Sequence, residues 1–235
     1  MTARPSVSAP VSTCAVAVDV ALLTILDGSL QLVLVEPEPP ELAGRWALPG
    51  RRVRDDESLD ETAHRALAEL AGIAAPNAHL EQLRTYGDPA RDPGGRVVSV
   101  AYLALTPTTA APPTDPRARL FDATVLLRGS GPELAYDHAR IVPDAIERAR
   151  SKLEYTSLAT AFVAEPFALA ELRRVYEAIW GVQLDPANFR RKVMSARDFV
   201  VATGRIASPG PEGGRPARLY RRGAAERLHP AMLRP

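Results

Sequence analysis

The chain has 235 residues and a mass of 25.3 kDa, more than one small domain requires and enough for two. Apolar residues make up 46% and charged residues 24%, which excludes a disordered or fibrous chain, and the longest apolar run, residues 15–26, contains Asp19 and is too short to span a bilayer. The net charge of +1 hides a gradient: residues 1–185 carry 18 Lys+Arg against 25 Asp+Glu, and residues 186–235 carry 11 against 3. An acidic body with a basic end points to two tasks in one chain, the second involving a polyanion. Two lysines against 27 arginines reflect a bias that coding-DNA composition can produce, so the uneven distribution is the informative part. The single cysteine, Cys14, excludes an internal disulfide and a zinc site built on several thiolates.

Residues 1–13, with one arginine, two prolines and no apolar centre, read as a flexible tail rather than a leader, and a cytoplasmic protein is expected. Residues 14–28 are apolar and β-branched and end on Asp27-Gly28, a tight-hairpin signal that a second strand from Leu30 to Val35 answers. Cys14 opens the first strand and is expected to be buried and inert. Prolines 37, 39 and 40 open a loop, and Arg45-Trp46-Ala47-Leu48-Pro49-Gly50 predicts a short strand. Ser58, with Glu61 three residues on, makes a capping box for a helix that places Leu59, Ala63, Leu67 and Leu70 on one side and ends at Gly72. Strands are expected over 80–86 and 97–105, a loop over 106–116, and a helix from Ile141 to Leu153 with Pro143 in its first turn. Beyond residue 155, Leu172, Val175, Tyr176 and Ile179 form one helical stripe closed by Gly181. Asp185 and Pro186 start another helix a few residues later. Two strands, 199–206 and 217–221, then flank a Pro/Gly-rich tip, so the second unit is predicted to be a winged helix–turn–helix.

The stretch from Pro49 to Ile73 resembles the signature of the Nudix hydrolases, G-x5-E-x7-R-E-U-x-E-E-x-G-U with U aliphatic. Every spacing is kept, with Glu57, Arg65, Glu69, Gly72 and Ile73 in register. Three residue types are not: Arg51 stands at the glycine, and Ala66 and Leu70 stand at two of the glutamates. In that family, helix carboxylates hold Mg²⁺, which neutralises phosphate charge and orients a water. Glu57 and Glu69 are the residual metal candidates. With positions 66 and 70 apolar, no catalytic residue is assigned, no cofactor is expected to be required, and the domain is expected to bind its ligand without turning it over. Arg51, Arg52 and Arg54 place positive charge beside that site and are expected to replace the ion in part. The stretches from Arg84 to Pro89 and from Arg91 to Arg96 resemble the loop and strand start of ADP-ribose-type Nudix domains. Arg84, Asp92 and Arg96 therefore join Arg51, Arg52, Arg54, Glu57 and Glu69 as candidate ligand contacts.

In the last 50 residues, Phe189 and Val193 point to one side of the helix that begins at Pro186. Asn188, Arg191 and Ser195 point to the other, with Arg190 and Lys192 on the flanks. Apolar residues that dock a helix, opposite a side offering Arg for guanine and Asn for adenine edges, are what a DNA-recognition helix needs. Arg197 extends that face, and the hairpin arginines Arg215, Arg218 and Arg221 are candidate phosphate or minor-groove contacts.

The segments 167–177, 188–192 and 214–221 are similar to the C-terminal domain of the Nudix-related transcriptional regulators (NrtR), and 134–139 with 151–155 resembles that family's linker. The resemblance covers roughly residues 15 to 222. It implies an α/β (α+β) Nudix-type α/β/α sandwich with a mixed sheet over 14–153, then a winged helix–turn–helix over 154–235. It also implies a repressor of NAD biosynthesis or salvage genes, cytoplasmic and nucleoid-associated, whose Nudix domain senses ADP-ribose or a related NAD metabolite and then releases DNA. The partners implied are double-stranded DNA at a palindromic operator, a small nucleotide effector and a second copy in a homodimer, with no membrane. The helix over 141–153 is the candidate lever between the domains. The rival reading is an active Mg²⁺-dependent ADP-ribose or nucleoside-diphosphate pyrophosphatase.

Overall fold

A computed structural model of the chain describes residues 13–74, 78–107, 113–207 and 216–235. Strand β1 (Ala15–Leu26) is the centre of a six-stranded mixed sheet. It turns through Asp27 and Gly28, both at positive φ, into β2 (Ser29–Val35), as a type I′ hairpin requires. It runs parallel to β5 (Val97–Leu105) and antiparallel to β3 (Gly50–Arg52). Strand β4 (His79–Tyr86) pairs with β5, and β6 (Ala118–Asp122) with β2, giving the order β4-β5-β1-β2-β6 with β3 on β1.

The period of two along β1 splits its side chains between two cores. Val18, Val20 and Leu22 pack with Ala63, Ala66, Leu67 and Leu70 of helix α1 (Leu59–Ala71). Ala21 and Leu23 face Ile141, Ala145, Ile146 and Ala149 of a long helix that follows β6 and the short α2 (Ala123–Leu127), namely α3 (His138–Tyr155). A mixed sheet between helices is the expected α/β/α sandwich. The capping box is formed as expected, with Ser58 accepting from the Glu61 N–H and Glu61 accepting from the Ser58 N–H, and Gly72 closes α1 in the left-handed conformation.

Three expectations need correction. Residues 45–50 form no strand: Trp46 and Ala47 make single bridges, and the strand begins at Gly50, because Pro49 has no N–H to give to a ladder. Helix α3 begins at His138, which places Pro143 inside it rather than in its first turn; Pro143 faces solvent while Ile141, Val142, Ala145 and Ile146 are buried, and that packing holds the helix together. Cys14 is exposed, since it precedes the strand. Strand β6 and helix α2 were not anticipated.

The second unit contains β7 (Phe167–Ala168), α4 (Leu169–Trp180), α5 (Pro186–Ser195), β8 (Val200–Ala207) and β9 (Ala217–Arg222), with a sheet in the order β7-β9-β8. This is a winged helix–turn–helix around Phe167, Tyr176, Phe189, Phe199 and Tyr220. Helix α4 starts without a Ser or Thr cap, and the Glu171 carboxylate accepts from the Ala168 N–H instead. Helix α3 serves both units: its Arg150 and Leu153 carbonyls accept from Trp180 Nε1 and the Tyr176 hydroxyl, both at 3.2 Å. The C-terminal segment straps the arrangement. Leu228 N and Met232 N donate to the carbonyls of Tyr155 and Glu154, Arg234 grips Glu147 and Glu154, and the Leu233 carbonyl accepts from Lys192 Nζ of α5 at 3.1 Å. Among the described residues no helix is long and apolar enough to cross a membrane.

Candidate functional site

A cleft of about 680 Å³ opens where β3 pairs with β1, walled by α1, residues 35–42 and the β4–β5 loop. A Cβ on Gly50 would collide with the carboxylate of Asp19, its partner across the strand pair, so only glycine fits there. Arg51 donates from Nε to Glu69 at 3.0 Å and from Nη2 to Glu38 at 3.1 Å. Arg54 and Arg65 lie 3.6 and 3.5 Å from the same Glu69. Arg65 forks onto both oxygens of Glu57 at 2.6 and 2.7 Å. Those hydrogen bonds hold the Glu57 carboxyl at about 2, and the Arg51 hydrogen bond, with Arg65 and Arg54 nearby, keeps Glu69 below the usual carboxylate range. Mg²⁺ needs several uncommitted hard oxygens in octahedral geometry. Here Ala66 and Leu70 are buried in the core and both remaining glutamates are matched to guanidinium groups. Among the described residues no group of three or more acids, histidines or cysteines is placed to hold a metal ion. The donor set does not fit the ion.

The floor of the cleft is a buried charge cluster. Arg91, on the β4–β5 loop, donates to Asp19 at 3.0 Å and grips both oxygens of Asp137 at 2.8 and 3.2 Å. Burial opposes ionisation of Asp19, but the His138 ring, Arg91 and the Ser99 hydroxyl outweigh it and hold the carboxyl at about 2. His138 is the first residue of α3. Its Nδ1 accepts from the Leu48 N–H at 2.9 Å, so the ring proton sits on Nε2, which is buried, lacks a hydrogen-bond partner and lies 3.5 Å from Asp19. Tyr136, also in the wall, is held at φ 54°, a left-handed conformation that costs an ordinary residue about 1–2 kcal/mol.

Of the candidate ligand residues, Arg51, Arg52, Arg54, Glu69 and Asp92 line this cleft. Glu57 sits behind Arg65. Arg84 lies at a separate hollow, on Asp144 and over the Tyr86 ring, and Arg96 is spent on the Gly87 carbonyl. Asp19, Arg91, Asp137 and His138 were not among the candidate ligand residues, although the last three fall in stretches that carried the resemblance. One signal was available: an aspartate inside an otherwise apolar central strand needs a buried partner.

In the winged unit, the Asp185 carboxylate caps α5 by accepting from Asn188 N at 2.7 Å, while Phe189 and Val193 are buried against the core. Asn188, Arg190, Arg191, Ser195 and Arg197 are exposed, as are Arg218 and Arg221 on β9. Arg191 donates to the Asn188 side chain at 2.7 Å, which aligns the pair on one face. Met194, 53% exposed, stands among them and was not foreseen. Lys192 is drawn to the C-terminal strap and the Ser195 hydroxyl donates to the Lys192 carbonyl, so these two are less available than their neighbours. Arg215 lies outside the described residues.

The NUDIX domain model matches residues 16–144, and the model of the NrtR DNA-binding winged helix domain matches residues 160–222. The ADPR responsive transcriptional repressor NtrR of Acinetobacter baylyi is 34% identical over 206 residues, 87% of this chain and 80% of that protein. The chain belongs to the NrtR family. Among solved structures, Shewanella oneidensis NrtR complexed with a 27mer DNA superposes with a TM-score of 0.78 at 31% identity, covering 93% of this chain and 99% of that one. The NUDIX domain of the same NrtR, complexed with ADP ribose, gives a TM-score of 0.52 at 31% identity over 59% of this chain and 90% of its own.

Proposed function

We propose that this protein is a DNA-binding transcriptional repressor whose Nudix domain binds ADP-ribose without hydrolysing it, and that binding loosens the winged helix from its operator. The observation that carries the reading is the Arg51–Glu69 pair, which puts a guanidinium where a hydrolase needs a metal, in a chain that also presents an exposed Arg-rich helix. The A. baylyi relative, named an ADPR responsive repressor, and the Shewanella structures with DNA and with ADP ribose support it. The arginine cluster suits a pyrophosphate, because guanidinium groups pair phosphate oxygens in a fork. A homodimer on a palindromic operator, control of NAD biosynthesis or salvage genes, a cytoplasmic nucleoid-bound location and no required cofactor complete the proposal.

Selection of genomic DNA fragments on the purified protein, with and without ADP-ribose, tests it. The expected result is a palindrome upstream of NAD-metabolism genes whose enrichment is lost with ADP-ribose. Enrichment indifferent to ADP-ribose overturns the effector, and no enrichment, with Mg²⁺-dependent release of AMP from ADP-ribose, supports the pyrophosphatase instead.

A further inference from the structure

Asp137 occupies the N-cap position of α3, yet its side chain makes no cap hydrogen bond. An aspartate there ordinarily accepts from the free N–H groups of the first turn. In this protein both of its oxygens are held by Arg91, and its backbone, at φ −99° and ψ 21°, is outside the extended region that caps adopt. The residue before it, Tyr136, is in the left-handed conformation. The pairing therefore holds the start of α3 in an arrangement the local sequence does not favour. Asp137 has two mutually exclusive sets of partners, Arg91 or the first turn of α3.

We propose that the Arg91–Asp137 pair is a latch opened by the effector. Arg91 and its neighbours Asp92, Pro93 and Gly94 wall the same cleft as Arg51. An anionic diphosphate seated there competes for the Arg91 guanidinium. Once released, Asp137 caps α3, Tyr136 relaxes, and the start of the helix shifts. Because α3 carries α4 through Trp180 and Tyr176, and α5 through the C-terminal strap, the shift reaches the DNA-reading face. Coupling of this kind is reciprocal: the factor by which the effector weakens DNA binding is the factor by which DNA weakens effector binding, and whatever opens the latch shifts the two affinities in opposite directions.

The latch rests on the ADP-ribose-sensing reading, and Asp137→Asn, measured beside the unaltered full-length protein, separates the two. Asparagine still caps a helix but loses the charged pairing with Arg91. Expected for D137N are DNA binding weaker by about tenfold without ADP-ribose and ADP-ribose binding tighter. Hydrogen exchange in the unaltered protein is expected to show slower exchange of the 138–141 amides on adding ADP-ribose. If the unaltered protein responds to ADP-ribose and D137N responds equally, from the same starting affinities, the latch is wrong and the sensor stands. Indifference of the 138–141 amides also overturns the latch. If the unaltered protein ignores ADP-ribose, the sensing reading fails and takes the latch with it. A D137N protein that melts early is replaced by Arg91→Lys, for which the same reciprocal change is expected, and its absence overturns the latch.

Discussion

Arg51 Nε lies 3.0 Å from Glu69 Oε2, so the residue at the signature's glycine position reaches across the cleft to the one signature carboxylate that remains on helix α1. The residue that departs from the signature at position 51 thus pairs with a carboxylate that keeps to it. Glu69 keeps its place in the pattern but serves to hold a guanidinium toward the cleft. On the proposed reading, a phosphate arriving there would meet a preplaced charge and need not recruit an ion from solution.

The arginine side of the cleft can be tested directly. Arg51→Ala is expected to weaken ADP-ribose binding by about tenfold, or ~1.4 kcal/mol, in calorimetric titration. Binding by the unaltered protein should be equal in EDTA and in Mg²⁺. Tighter binding by the variant, or a requirement for Mg²⁺, would show that Arg51 blocks the ligand.

On the DNA side, Arg191→Ala should cost about 1–3 kcal/mol on the selected operator and relax sequence preference at one position. Arg218→Ala should weaken specific and random DNA alike and lower the salt-dependence slope by about 1. Fluorescence anisotropy at several salt concentrations separates the two. If both variants behave alike, the division between reading and anchoring residues is wrong.

Helix α1 supplies the cleft's Arg65 and Glu69, so its cap bears on sensing as well as folding. Ser58→Ala should destabilise the protein by about 1 kcal/mol, lowering the melting temperature by about 2–4 °C. Calorimetry reads this directly, and an unchanged melting temperature would mean Glu61 alone suffices to start the helix.

Acid should unfold the protein through its buried pairs. Asp19 stands at about 2 against an ordinary 3.8, and Glu81 at about 2 against 4.5, the latter because His79 and Lys152 outweigh the burial that opposes its charge. A carboxyl lowered by folding adds stability above its ordinary value and loses that contribution as pH falls through the lowered one. Urea midpoints should therefore decline between about pH 5 and pH 2. Asp19→Asn should flatten that decline; an unaltered slope would remove Asp19 as a cause.

Much of this was legible in the chain. The hairpin at Asp27-Gly28, the Ser58/Glu61 box, Gly72, Gly181 and the Asp185-Pro186 start are local signals, and local hydrogen bonding decided each of them. The winged unit could be read because its stripe and charge segregation lie within short segments. What escaped depends on contacts across the chain. Arg91 and Asp19 are 72 residues apart, Arg91 and Asp137 are 46 apart, and no spacing rule joins them. Pro143 misled because a proline suggests a helix start, whereas the buried face of α3 tolerates it further in. Arg84 and Arg96 read as ligand contacts from their neighbourhood; their partners in the structure, Asp144 and the Gly87 carbonyl, are distant in sequence or set by the loop and could not be read from it.

The strap from Leu228 to Arg234 gives the two halves of the molecule a different timetable during synthesis. The strands and helices that form the cleft are complete once α3 has been made, and domains generally fold from the N-terminus as the chain emerges. The DNA-reading helix, by contrast, is braced by the Leu233 carbonyl on Lys192, and β7 waits for β9, so this half closes only when the last turns of chain are out. The cleft of a newly made copy is therefore complete before its winged unit can close.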